Sequence, residues 1–108
     1  MIEQGDLFWL NTGIRRPVVV VQSDMFNRSK IKTAVVCALT TNLSRGEAPG
    51  NVRLNKGEAG LKQESVVNVS QVFTVDKSHL EEKIGTISPK RIIQIVKGIE
   101  LVIRPGVQ

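Results

Sequence analysis

Through its first two thirds the chain alternates short apolar runs with clusters of turn residues, the pattern of a small β protein. Asp6 to Asn11, DLFWLN, is an aromatic-rich run between Gly5 and the turn residues Thr12 and Gly13, and reads as a first strand. Pro17 opens a second. Val18 to Val21 is β-branched without interruption, which restricts χ1 and favours a pleated segment buried on both faces. The polar SDMFNRSKIK that follows is a surface loop, and Thr33 to Leu39, TAVVCAL, a third buried strand. After the loop TTNLSRGEAPGN, Asn51 to Asn55 alternates as a half-exposed strand does. NKGEAGLKQ is a turn region, and Ser65 to Val69 is a fifth strand.

Beyond Asp76 the pattern changes. DKSHLEEK presents an aspartate as N-cap before one or two helical turns, and KIGTI returns to strand. Ser88 and Pro89 are a helix start: a serine N-cap, then a proline at the first helical position, where a missing N–H costs nothing. Ile92, Val96, Ile99 and Ile103 then recur at helical spacing, with Ile95 and Val102 widening the stripe, so a C-terminal helix lies on the sheet and ends at Pro105-Gly106. No internal repeat, low-complexity tract or linker interrupts residues 1–108. The elements predict a mainly β single domain: a strongly bent antiparallel sheet or partly open barrel of about five to seven strands, closed by one long helix.

Composition narrows the function. The 108 residues suit one modest core, for which association would add stability. A net charge of +5 and a pI near 9.8 suit a polyanionic partner without requiring one. Cys37 is the only cysteine, so neither an internal disulfide nor a thiolate metal cluster is possible, and a reducing compartment is expected. The N-terminus lacks the basic start of a secretory signal and no apolar run approaches a membrane span, which predicts a soluble cytoplasmic protein. His79 is the only histidine; it lies before Leu80 on the predicted short helix and reads as a surface residue. A two-histidine ribonuclease mechanism within one chain is therefore excluded. Cys37, mid-strand among apolar neighbours, reads as a buried inert thiol. With no Tyr, one Trp and three Phe, the chain lacks the parts for an aromatic cage or a platform of several stacked bases.

Several blocks together resemble the MazF/PemK family of toxin endoribonucleases, the mRNA interferases of bacterial toxin–antitoxin pairs. GDLFWL is similar to the family's opening GD-aromatic strand, and RRPVVVVQSDMFNRS to its RP-aliphatic-Q-x-D-x-x-N-R segment. VVCALTTN resembles its third strand ending in threonine, and GLKQESVVNVSQVFTVDKSHLEEKIGTIS its GL-x-x-x-S-V-x-x-x-Q-x-x-T-x-D block. The resemblance implies an SH3-like barrel with a helical addition, a homodimer, a cognate antitoxin partner, and cleavage of single-stranded RNA or mRNA without a metal or other cofactor. Two departures stand out. Asn11 to Ile14 is a tight turn where many members have a longer loop over the RNA groove. In addition, Ser70 and Asn68 occupy positions that in some members carry an acidic and a basic residue.

RNA supplies its own nucleophile, the 2′-hydroxyl. Cleavage then needs that oxygen deprotonated, the phosphorane charge stabilised and the departing 5′-oxygen protonated. Arg16, matching the family position and followed by Pro17, suits charge stabilisation because a guanidinium fork fits a phosphate. Without the resemblance it would read as a surface arginine at a strand start. Thr40 matches the family's catalytic threonine, although strand-end threonines more commonly bond local backbone. Arg15, Arg28, Thr41, Asn42, Arg45, Asn68 and Ser70 are candidate RNA contacts. From Arg15 to Lys32 five cations face one acid, Asp24, and Lys30 and Lys32 fit a solvated loop. Gln22, Asp24, Asn27 and Gln71 fit structural hydrogen bonding. Two readings compete with a nuclease: a toxin of the same fold that inhibits DNA gyrase, as in the CcdB family, and a barrel that binds RNA without cutting it.

Overall fold

A computed structural model describes residues 1–106. Six strands form one antiparallel sheet: β1 (Asp6–Asn11), β2 (Arg15–Val20), β3 (Thr33–Thr40), β4 (Val52–Leu54), β5 (Ser65–Asp76) and β6 (Leu80–Thr86), in the order β4-β5-β3-β2-β1-β6. The sheet curls into a half-barrel. The segment between β4 and β5 packs against β6 at the far edge, where a Cβ on Gly85 would collide with the Ala59 carbonyl. Asp6 ties β1 to the same edge through the Thr86 hydroxyl (2.8 Å) and Lys83 Nζ (3.3 Å), and its carboxylate also accepts from the Glu3 N–H just before the strand (2.9 Å).

Period-two alternation divides the apolar side chains into two cores. Leu7, Val19, Cys37, Leu39, Val67 and Val69 face one way, and α2 (Pro89–Ile103) covers them with Ile92, Ile95 and Ile99. Leu10, Val18, Val20, Ala34, Val36, Val75 and Leu80 face the other, with Phe8 and Phe73 against them. Both faces of the valine run are thus buried. Helix α2 begins as expected, with Ser88 Oγ accepting from the Arg91 N–H at 3.3 Å and Pro89 in the first turn. Gly98 brings the helix against the loop before β4, because a Cβ there would strike the Gly50 carbonyl. The predicted apolar stripe fails only in the last turn, where Val102 and Ile103 are exposed.

Other boundaries shift for identifiable reasons. The predicted helical turns over DKSHLEEK shrink to a 3₁₀ turn, Lys77–His79, capped by Asp76, which accepts from the Ser78 N–H at 2.8 Å. LEEK belongs to β6. Pairing with β1, through two register irregularities, overrides the helical preference of its glutamates and lysine, and the charges sit on an edge strand where they discourage further pairing. The fifth strand continues to Asp76 through a large irregularity. Cys37 pairs with Val72 and Leu39 with Val67, so Ala38 alone stands opposite Asn68–Gln71. Within the polar loops, α1 (Asp24–Asn27) and a 3₁₀ turn at Leu43–Glu47 were not foreseen.

Candidate active site

The candidate site lies where β2 begins and β3 ends. The β2–β3 ladder pairs Val18 with Ala38, Val19 with Cys37 and Val20 with Val36; carried two residues further, the same register sets Arg16 beside Thr40. Alternation puts both side chains on the face away from α2. Arg16 Cζ lies 5.9 Å above the Phe73 ring, which confirms that side. Pro17 has no N–H to give, and the pairing of β2 with β3 begins only after it, while Arg15–Pro17 pair with β1. Arg16 is exposed, and among the described residues it makes no ion pair.

Thr40 is half-buried, and its hydroxyl oxygen accepts from the Asn42 N–H at 3.1 Å. The local backbone bond is therefore present. It does not consume the hydroxyl, whose proton is still available to donate. The β5 irregularity brings Asn68 and Ser70 to this same face by alternation from the inward-facing Val67 and Val69. The Ser70 hydroxyl donates to Asn68 Oδ1 at 2.9 Å, and Cys37 Sγ donates to the Asn68 carbonyl at 3.0 Å, fixing the bulge. Burial pushes the Cys37 thiol up to about 12, so it stays protonated and inert, as its setting in the sequence suggested.

The other candidates separate. Arg15 points to the opposite face from Arg16: its guanidinium lies 4.8 Å over the Trp9 ring and 2.8 Å from Glu82. Arg15 and Thr41 line one pocket of about 420 Å³ with Trp9, Gln63, Ser65 and Glu82. Asn42 caps the Leu43–Glu47 turn, accepting from the Ser44 N–H (3.3 Å) and hydroxyl (2.7 Å). Arg45 sits exposed in that turn. Arg28 follows α1 in the β2–β3 connection, at the far end of both strands, on the order of 20 Å from Thr40 for an eight-residue strand.

Gln22, Asp24 and Asn27 form a closed network, as the sequence suggested. Gln22 Nε2 donates to Asn27 Oδ1 (3.0 Å) and to the Thr33 carbonyl (3.1 Å), while its Oε1 accepts from the Val35 N–H (3.2 Å). Asn27 Nδ2 donates to the Gln22 carbonyl (2.9 Å) and to Asp24 Oδ1 (3.1 Å). The Gln4 N–H on the same Asp24 oxygen, with Asn27, holds that carboxyl below its ordinary range. Gln71 departs from the expectation of structural hydrogen bonding: it stands exposed on the β5 irregularity, and among the described residues its side chain makes no hydrogen bond. His79 is exposed, as expected. A larger cleft of about 620 Å³ runs between α2 and β4, but two of its cations are already paired, Arg53 with Glu64 and Arg91 with Glu58. Among the described residues no three His, Cys, Asp or Glu side chains meet as metal ligands would.

Residues 3–103 match the model of the PemK-like, MazF-like toxin of type II toxin–antitoxin systems. The chain is 30% identical to the endoribonuclease MazF2 of Mycobacterium bovis over 95% of its own length and 97% of that protein's. It is 31% identical to the endoribonuclease MazF of Staphylococcus saprophyticus, over 94% and 90% of the two lengths. A mycobacterial endoribonuclease solved in complex with its cognate antitoxin superposes with a TM-score of 0.84 at 19% identity, covering 100% of both chains. With the model match spanning nearly the whole chain, and with close curated relatives of almost equal length, this protein belongs to the PemK-like, MazF-like toxin family of type II toxin–antitoxin systems.

Proposed function

We propose that this protein is a sequence-specific endoribonuclease toxin that cleaves single-stranded RNA by attack of the 2′-hydroxyl, without a metal, and that a cognate antitoxin neutralises it. The observation that carries the reading is the placement of Arg16 and Thr40 on one sheet face, with the guanidinium unpaired among the described residues and the threonine proton free to donate. Arg16 stabilises charge on the non-bridging phosphate oxygens as the phosphorane forms, and Thr40 donates a second hydrogen bond to them. Asn68 and Ser70, which border the same face, hold the RNA in this reading. The relatives named endoribonucleases and the structural neighbour solved with its antitoxin support activity and partner. The active unit is a homodimer in the cytoplasm, and the antitoxin covers the basic RNA-binding surface.

The test is a short RNA containing a mapped cleavage site, incubated in EDTA with and without 2′-deoxyribose immediately 5′ of the cut. The unmodified RNA should yield a 2′,3′-cyclic phosphate and a free 5′-hydroxyl, and the deoxy RNA should bind and stay intact. Cutting of the deoxy substrate, or activity lost in EDTA and restored by magnesium, would make water the nucleophile and overturn the mechanism.

A further inference from the structure

The pocket beside Arg15 opens at the edge of the helix-covered core and takes no part in the chemistry assigned to Arg16 and Thr40. Its floor is apolar, formed by Leu61 and Ile84 of the helix-covered core, and one wall is the Trp9 ring with the Arg15 guanidinium laid over it. Glu82, paired with Trp9 across the β1–β6 ladder, accepts from that guanidinium at 2.8 Å. The rim carries Thr41, Gln63, Lys62 and Lys83. Gln63 and Thr41 are exposed, and among the described residues neither side chain makes a hydrogen bond within the protein.

Position is the second observation. Arg15 precedes Arg16 on β2 and Thr41 follows Thr40 on β3, so pocket and catalytic pair lie at the same strand ends on opposite faces of the sheet, supplied by adjacent residues whose Cα atoms are about 3.8 Å apart. The turn between β1 and β2 is only Thr12–Ile14, closed by the Gly13 N–H on Asn11 Oδ1 at 3.1 Å, and it leaves the Trp9–Arg15 stack open. A volume of about 420 Å³ lies within the range of roughly 300–1,000 Å³ typical of small-molecule sites, enough for one nucleoside.

From these observations we infer that the pocket receives one unstacked base of the RNA, that of a nucleotide flanking the scissile phosphate. The inference rests on the endoribonuclease reading above. The base stacks on the Trp9–Arg15 pair, which offers a π face and a cation together. Gln63 and Thr41 meet its edge with donors and acceptors that the protein leaves unused, and Lys62 faces the neighbouring phosphate. Specificity therefore comes partly from the sheet face opposite the chemistry, supplied by the residues one step away on the same two strands.

Trp9 is the only tryptophan, so its emission reports this pocket alone. The probe is the RNA with deoxyribose 5′ of the cut, titrated against the full-length protein while anisotropy of a dye on the RNA measures binding independently. Trp9 emission should change in step with binding. An abasic site at one of the two nucleotides flanking the cut should remove that change and weaken binding about tenfold, the scale of one stacked base; abasic sites further away should leave the signal intact. Gln63→Ala, on an exposed loop, should alter which base is accepted at that nucleotide in a library of cleavage sites. Saturable binding with Trp9 silent, or a Gln63→Ala cleavage profile identical to wild type, would overturn the inference while leaving the nuclease reading in place. Emission changes caused by the antitoxin and not by RNA would make the pocket a protein-docking site and overturn it equally. If no RNA is cut at all, the endoribonuclease reading fails and this inference fails with it.

Discussion

The two ends of the β2–β3 pair carry similar polar side chains and use them in opposite ways. At the α1 end, Gln22 and Asn27 are buried, and their amides spend their donors on each other, on Asp24 and on strand backbone. At the other end Arg16 is exposed and unpaired among the described residues, and Thr40 keeps a proton to give. The first end fixes the strands so that the second can hold two side chains still with little internal bonding. What separates scaffold from site is whether a donor is already satisfied, a property that residue type alone does not reveal.

Removing each end in turn should give opposite phenotypes. Arg16→Ala is expected to lower cleavage by on the order of 10²-fold or more, the scale of losing one preorganised donor to a transition state. The urea midpoint should not move, because the side chain is exposed at a strand start. Asn27→Ala should do the reverse: with its partners buried and left unsatisfied, a loss of about 1–3 kcal/mol in urea unfolding is expected, with cleavage per folded molecule close to wild type. A loss of activity without loss of stability in Asn27→Ala would place that network in the chemistry and dissolve the contrast.

Thr40→Val sharpens the same comparison, since it preserves shape and deletes the hydroxyl. Cleavage should fall about tenfold, one hydrogen bond's worth of transition-state stabilisation. The variant also loses the acceptor for the Asn42 N–H, an exposed group that water can satisfy, so little stability should be lost. Unchanged cleavage would restrict Thr40 to holding its turn.

The strands, the closing helix and its cap were legible because period-two burial, helical spacing and Ser88-Pro89 are local signals. LEEK was not: its residues favour a helix, and only pairing with β1 makes it a strand, a contact some 70 residues distant in the chain. Nor was the β5 irregularity, which decides that Asn68 and Ser70 share a face with Thr40, because a register shift leaves no mark on composition. Arg16 and Thr40 were found through the family resemblance; periodicity could say only that they end strands. Trp9, Glu82 and Gln63 were missed as a group. The signal available was the alternation itself, which sends adjacent Arg15 and Arg16 to opposite faces, but naming Arg15's neighbours there required the β1–β2 and β1–β6 registers.

The smallest expected effect tests the scaffold end by pH. Hydrogen bonds from the Gln4 backbone and from Asn27, with the Arg28 charge, hold Asp24 below the ordinary carboxylate range when folded. A carboxyl lowered in the folded state stabilises fully above its unfolded pKa, and that contribution disappears as pH falls through the folded value. Acid should therefore loosen the Gln22–Asn27 end. Glu58, lowered by its hydrogen bond from Arg91, and Asp76, lowered by Ser78, titrate in the same direction, so Asp24 shares the wild-type acid limb with them. Asp24→Asn retains an oxygen that can accept from Gln4 and Asn27 but removes the charge, so at pH 7 it should cost less than about 1 kcal/mol. Its distinguishing mark is the slope: between pH 7 and pH 3 the urea midpoint of Asp24→Asn should fall less than that of wild type, whereas Arg16→Ala should follow wild type throughout. If Asp24→Asn and wild type fell in parallel, the lowered carboxyl would contribute nothing to the end of the sheet that it joins.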